Sequence, residues 1–178
     1  MNDTEYTKIQ IEISQLAQHI VKVCAERRKT ISSAESCTGG LISAAVTAIS
    51  GSSAVTELNV CSYSNRIKEQ TLGVSASTLK QHTEYSVQCA EEMARGVMKL
   101  AGADFGVSTT GVAGPTGGTE EHPIGEVCIA VCSRDRTHSK RYIFEQKSGS
   151  SFTARDYIRA CAVRKALMLL DLIIMTEQ

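Results

Sequence analysis

The chain has 178 residues, 42% hydrophobic and 21% charged, with Lys+Arg and Asp+Glu both at 19. These values fit one globular domain with a sizeable core and argue against disorder or a fibrous repeat. The balanced charge gives no long-range pull toward phosphate backbones or anionic membranes, and the basic clusters 27-RRK-29 and 140-KR-141 are too short to serve as a nucleic-acid patch.

In chain order, Ile9, Ile13, Leu16, Ile20 and Val23 recur at helical spacing, which predicts an amphipathic helix over 5–28. A β-prone run at 30–34 leads into 34-AESCTGG-40, and 38–49 reads as a small-residue helix ended by Gly51-Ser-Ser. The run 58-LNVCSY-63 reads as a strand, and 65-NRIKEQTLG-73 as a short helix with Gly73 as its stop. Ser86 caps a helix over 86–101 that Gly102 ends. A strand at 104-DFGVSTTG-111 enters the Gly/Pro loop 111-GVAGPTGGTEEHPIG-125. The runs 126–133 and 139–146 predict a hairpin turning at 134–138, and 155–175 a last helix. This order predicts a single-domain, three-layer α/β/α fold over 1–178, with a mixed, mostly parallel sheet and a late antiparallel hairpin.

Seven cysteines, an odd number without a CxxC pair, read as small buried hydrophobes of a reducing compartment. Cys128 and Cys132 share a strand face but are too far apart along it to suggest a metal pair, so no metal is expected. The N-terminus MNDTEYTKIQ is polar and mixed in charge, unlike a signal or transit peptide, and no apolar run approaches the roughly 18–20 residues of a membrane span. A cytoplasmic protein without a membrane partner is expected.

Four stretches carry the residue types of a reaction centre. Ser36 lies where a strand gives way to a helix, so helix N–H groups would face whatever binds it, and Gly39 and Gly40 permit close approach. Taken alone, 34-AESCTGG-40 is better explained as a helix cap. The stretch is neither a G-x-S-x-G elbow nor a P-loop. A hydroxyl nucleophile needs a base. His19, His82, His122 and His138 stand in no motif, whereas Lys68 in 63-YSNRIK-68 sits at the same kind of sheet edge. A desolvated lysine there can act as a general base; a solvated helix lysine is the alternative. The glycines of 109-TTGVAGPTGG-118 suit an anion or a planar ring, but their spacing is not the dinucleotide fingerprint. Arg155 and Arg159, one helical turn apart, suit a phosphate or ordinary surface ion pairs.

The blocks 34-AESCTGGL-41, 63-YSNRIK-68 with LGV at 72–74, 110-TGVAGPTGGT-119 with 123-PIGEVCIA-130, and 155-RDYIR-159 occur in one order. Together they closely resemble the CinA C-terminal domain family, over about residues 10–172, and would make this chain its stand-alone form. The resemblance implies a nicotinamide-nucleotide amidohydrolase that converts nicotinamide mononucleotide to nicotinate mononucleotide and ammonia without a cofactor. It implies Ser36 as nucleophile, Lys68 as general base, and Tyr63 as an aid to proton transfer or as the residue that orients the lysine. Backbone N–H groups after Ser36 would form the oxyanion hole. Glu35, Cys37, Thr38, Gly39 and Asn65 would shape the substrate site, with Thr110, Gly111, Ala113 and Gly114 lining it and Arg155 as the phosphate or ribose contact. Cys37 is the rival nucleophile.

Some positions depart from the family pattern: 57-ELNVC-61 replaces a Gly-rich stretch, Thr153-Ala154-Arg155 replaces G-D-R after a longer connection (147–154), and Tyr85, Glu126 and Cys128 are atypical. Glu126 is expected to add negative charge near a phosphate. These changes leave open a second reading, a weakly active or non-catalytic paralogue that binds a pyridine nucleotide or a related amide. The apolar run 167-LMLLDLIIM-175 belongs either to the core or to a homo-oligomer face, and a homo-oligomer is expected.

Overall fold

A five-stranded sheet in the order β2-β1-β3-β4-β5 forms the centre of the computed structural model, which describes residues 2–177. Its strands are β1 (Ile31–Glu35), β2 (Thr56–Cys61), β3 (Phe105–Gly111), β4 (Glu126–Cys132) and β5 (Thr137–Ile143). β1 pairs in parallel with β2 and β3, while β4 pairs antiparallel with β3 and β5. The sheet is therefore mixed, and β4 alone runs against the other four strands.

Helices α1 (Asn2–Arg27), α2 (Leu41–Thr47) and α6 (Ala154–Thr176) pack on one face. Helices α3 (Asn65–Leu72), α4 (Ala76–His82) and α5 (Val87–Ala101) cover the other, giving three layers in a single α/β domain. β4 lies between α5 and α6, which explains why all its residues are buried. Edge strand β5 instead has no fully buried residue.

Local chemistry sets the helix ends. Ser86 Oγ accepts the Cys89 N–H to start α5, and Gly102 ends it in the left-handed region at φ 66°. Thr153 and Asp156 close a reciprocal capping box on α6. In α1, the periodic Ile9, Ile13, Ala17 and Ile20 are buried against α6. The hairpin turn is tighter than the sequence suggests: Ser133 N–H donates to Arg136 C=O at 2.9 Å, so β5 begins at Thr137.

Helix α4 has no apolar periodicity that would announce it. Its start is fixed by Ser75 Oγ, which accepts the Thr78 N–H at 3.0 Å, and by Glu92 of α5, which accepts the Ser75 N–H at 2.7 Å. Gly96 of α5 lets α3 dock closely, because a Cβ there would collide with the carbonyl of Leu72. That docking fixes α3, which carries Lys68.

Candidate active site

The parallel strands β1, β2 and β3 end at one edge of the sheet, where open α/β sheets build their ligand crevices. Ser36 follows β1, its N–H donating to Thr109 C=O of β3 at 2.9 Å. The segment Ser62–Ser64 follows β2, and the loop from Gly111 follows β3. Together they enclose a cavity of about 240 Å³. A larger groove of about 360 Å³ between α1, α2 and α6 is lined mainly by alanines and other apolar side chains and brings no nucleophile to a base.

Lys68 occupies the first turn of α3, a helix capped by Ser64 Oγ accepting the Ile67 N–H. Its side chain folds inward and is only 2% exposed. Nζ donates to Ser62 C=O at 2.7 Å and lies 3.2 Å from Ser36 Oγ. Burial lowers the Lys68 pKa, partly offset by neighbouring groups such as Glu84. A neutral amine keeps a hydrogen for the Ser62 carbonyl and a lone pair for the serine proton, the arrangement a general base requires.

Cys37, beside Ser36, is 6% exposed, and burial pushes its thiol up to about 12. At neutral pH it is protonated, hence a poor nucleophile.

Glu35 has a structural place. It is 1% exposed and accepts four hydrogen bonds: from the N–H groups of Gly40, Ile42 and Ser43 and from the Thr38 hydroxyl. This corrects the expected oxyanion hole. The first N–H groups of α2 are held by an internal carboxylate and do not face the cavity. After Ser36, the donors without a partner among the described residues are the N–H groups of Cys37 and Thr38.

Of the other expected site residues, Tyr63, Asn65, Gly111, Ala113, Gly114 and Arg155 line the cavity with Ser36, Cys37 and Lys68. Glu35, Thr38, Gly39 and Thr110 do not. Thr38 is fully buried, its hydroxyl 2.6 Å from that of Thr109. Thr110 is buried too and donates to the backbone carbonyl of Glu84 at 2.6 Å. Gly39 is an exposed loop residue at φ 61°.

The two arginines of α6 part company. Arg155 donates through Nη1 to Gly114 C=O and through Nη2 to Tyr63 Oη at 3.2 Å, at the cavity wall. Arg159 turns away and donates to Thr38 C=O at 2.8 Å, bracing the loop after Ser36. The two arginines therefore do not form a joint clamp: Arg155 stands at the cavity wall and Arg159 is a strut. Among the described residues no group of three or more His, Cys, Asp or Glu could hold a metal.

With this geometry in place, the chain matches the family described as CinA C-terminal domain over residues 13–174. The chain belongs to that family. A CinA-like protein of Chlorobaculum tepidum is 44% identical over 67% of this chain and 28% of its own length. A CinA-like protein of Shewanella piezotolerans is 37% identical over 87% of this chain and 35% of its own. The match thus spans about a third of the length of these curated relatives. The solved competence/damage inducible protein CihA of Agrobacterium tumefaciens superposes with a TM-score of 0.86 at 36% identity, covering 93% of this chain and 96% of that one. A competence damage-inducible protein A of Klebsiella pneumoniae gives 0.84 at 34% identity, covering 93% and 99%.

The positions atypical of the CinA pattern lie in separate surroundings. Glu126 is 1% exposed, paired with Arg141 Nε at 2.7 Å and 3.2 Å from His122 Nδ1; it does not line the cavity, so the expected extra charge near a phosphate is absent there. The Cys128 thiol donates to Tyr85 C=O at 3.1 Å. The 147–154 connection is tied to α1, with Asp3 accepting from Ser150 and Ser151 and Phe152 stacked on Tyr6 at 4.2 Å. Tyr85 does line the cavity, as do Val112 and Gly117 of the Gly/Pro loop and Thr116 and Glu84, of which sequence reasoning missed Glu84 and Thr116. A polar stretch between two helices carries no periodicity to reveal its direction. The one available signal was its position directly before the Ser86 cap.

Proposed function

We propose that this chain hydrolyses the carboxamide of nicotinamide mononucleotide, releasing nicotinate mononucleotide and ammonia through an acyl-enzyme on Ser36. The observation that carries the reading is a buried lysine amine 3.2 Å from a serine hydroxyl in the wall of the cavity. Neutral Lys68 takes the Ser36 proton as Oγ bonds to the carboxamide carbon. The oxygen charge that develops faces the N–H group of Cys37, which lines the cavity beside Ser36. Protonated Lys68 then gives its proton to the departing nitrogen as the C–N bond breaks and ammonia leaves. Water repeats the attack on the ester, with Lys68 again as base, freeing Ser36 and the carboxylate product.

Arg155 holds the phosphate or ribose end, and Tyr63, bonded to that guanidinium, keeps the two sides of the cavity in register. No cofactor enters this scheme. The reading is tested by an ammonia-release assay on nicotinamide mononucleotide and related pyridine amides. Turnover by the purified chain that vanishes in Ser36→Ala is the expected result. Ligand-induced stabilisation without ammonia would favour a non-catalytic nucleotide binder instead.

A further inference from the structure

Glu84 was absent from the sequence-level candidates, yet it is the only carboxylate among the described residues lining the cavity. One of its oxygens accepts from Asn65 Nδ2 at 3.3 Å, and its charge lies beside the Tyr85 phenol, whose pKa is raised by burial and by that neighbouring carboxylate. It forms no ion pair with any described lysine or arginine, although Arg155 lines the same cavity. The carboxylate is therefore placed to meet a cation that a ligand brings into the cavity.

The backbone around Glu84 is held in place. Thr83 sits at φ +65°, a region a β-branched residue rarely adopts. Its hydroxyl lies 3.2 Å from His122 Nε2 and accepts the Tyr85 N–H at 3.3 Å, and its carbonyl accepts from Ser86 Oγ at 2.9 Å. Thr110, fully buried, anchors the Glu84 carbonyl. Strain that four neighbours maintain is the signature of a segment whose direction matters, and this one delivers Glu84 to the cavity.

We propose that Glu84 makes the site selective for amides whose reacting ring carries a positive charge. This deepens the amidase reading proposed above and rests on it for the choice of ligand. Arg155 receives the anionic end of such a substrate, Lys68 stays neutral as base, and Glu84 faces the cationic ring. Glu84 therefore acts as a specificity residue that reads charge, with no bond made or broken on it.

The test is calorimetric binding to Ser36→Ala protein, which removes turnover, using nicotinamide mononucleotide and its dihydro form, whose ring is uncharged. Both ligands carry the same amide, ribose and phosphate; the dihydro ring has lost both its charge and its aromaticity, and the Glu84→Gln comparison isolates the charge. The cationic form is expected to bind about tenfold more tightly. Adding Glu84→Gln is expected to erase that preference by weakening the cationic ligand alone. Equal affinities in the Ser36→Ala protein overturn the proposal, whether or not the double variant folds. Equal weakening of both ligands by Glu84→Gln also overturns it, because contacts to the ribose hydroxyls or a purely structural role predict that pattern. Ammonia release by the wild-type chain decides the amidase reading separately.

Discussion

Lys68 Nζ stands 3.2 Å from Ser36 Oγ and 2.7 Å from the carbonyl of Ser62, with its side chain almost wholly withdrawn from solvent. Burial lowers its pKa. A base must be unprotonated, so kcat/KM is expected to rise with pH along a limb whose midpoint lies below that of an ordinary lysine. A pH profile checks this, and the limb should vanish in Lys68→Met.

The same depressed pKa links to stability. Between the lowered folded value and the ordinary lysine value, the unfolded chain binds more protons than the folded one. Stability therefore rises with pH across that window, and below it the buried charge is a penalty. Lys68→Met removes the penalty at similar volume. It is expected to cut kcat by about 10²–10⁴-fold while leaving Tm unchanged or higher at neutral pH. A large fall in Tm would contradict this account of Lys68.

Glu35 is expected to govern folding. It satisfies three N–H groups at the start of α2 and one hydroxyl, all within the protein. Glu35→Ala strands those donors and is expected to cost about 3 kcal/mol or more, each hydrogen bond to a charge contributing about 1.5–3 kcal/mol. Denaturant melts of Glu35→Ala and Glu35→Gln measure this, with the glutamine variant the milder because it keeps one acceptor.

The two arginines of α6 should separate kinetically. Arg155→Ala is expected to raise KM for a phosphate-bearing amide by about tenfold to a hundredfold, through loss of a charge-assisted contact. Arg159→Ala removes the strut to Thr38 C=O and is expected to lower Tm first. Steady-state kinetics beside thermal melts of both variants distinguish the roles.

Thiol chemistry offers a further check. Cys37 is buried with its thiol pushed up to about 12, whereas Cys61 is exposed. Iodoacetamide near neutral pH is expected to label Cys61 and leave activity intact, as read by peptide mass spectrometry with a parallel assay. Inactivation that tracks labelling of Cys37 would transfer the nucleophile to the thiol.

The fold was largely legible because its elements announce themselves. The period of Ile9, Ile13 and Ile20, the Ser86 and Gly102 boundaries, and the β-rich runs each depend on local chemistry. Helix α4 was not legible, since Glu92 from a distant helix helps to fix its start. Within the site, Ser36 and Lys68 could be paired because each follows a strand that ends at one sheet edge. Side-chain direction could not be read: Glu35 and Thr110 turn into the fold, and Glu84 turns into the cavity, for reasons that lie in tertiary hydrogen bonds.

The most direct measurement is acid quenching of the wild-type chain during turnover of nicotinamide mononucleotide, followed by mass analysis of the peptide containing Ser36. The account predicts an acyl adduct of the substrate's pyridine carboxyl group on Ser36, absent from the Ser36→Ala protein, which should also release no ammonia. Ammonia release at an undiminished rate by Ser36→Ala would contradict it.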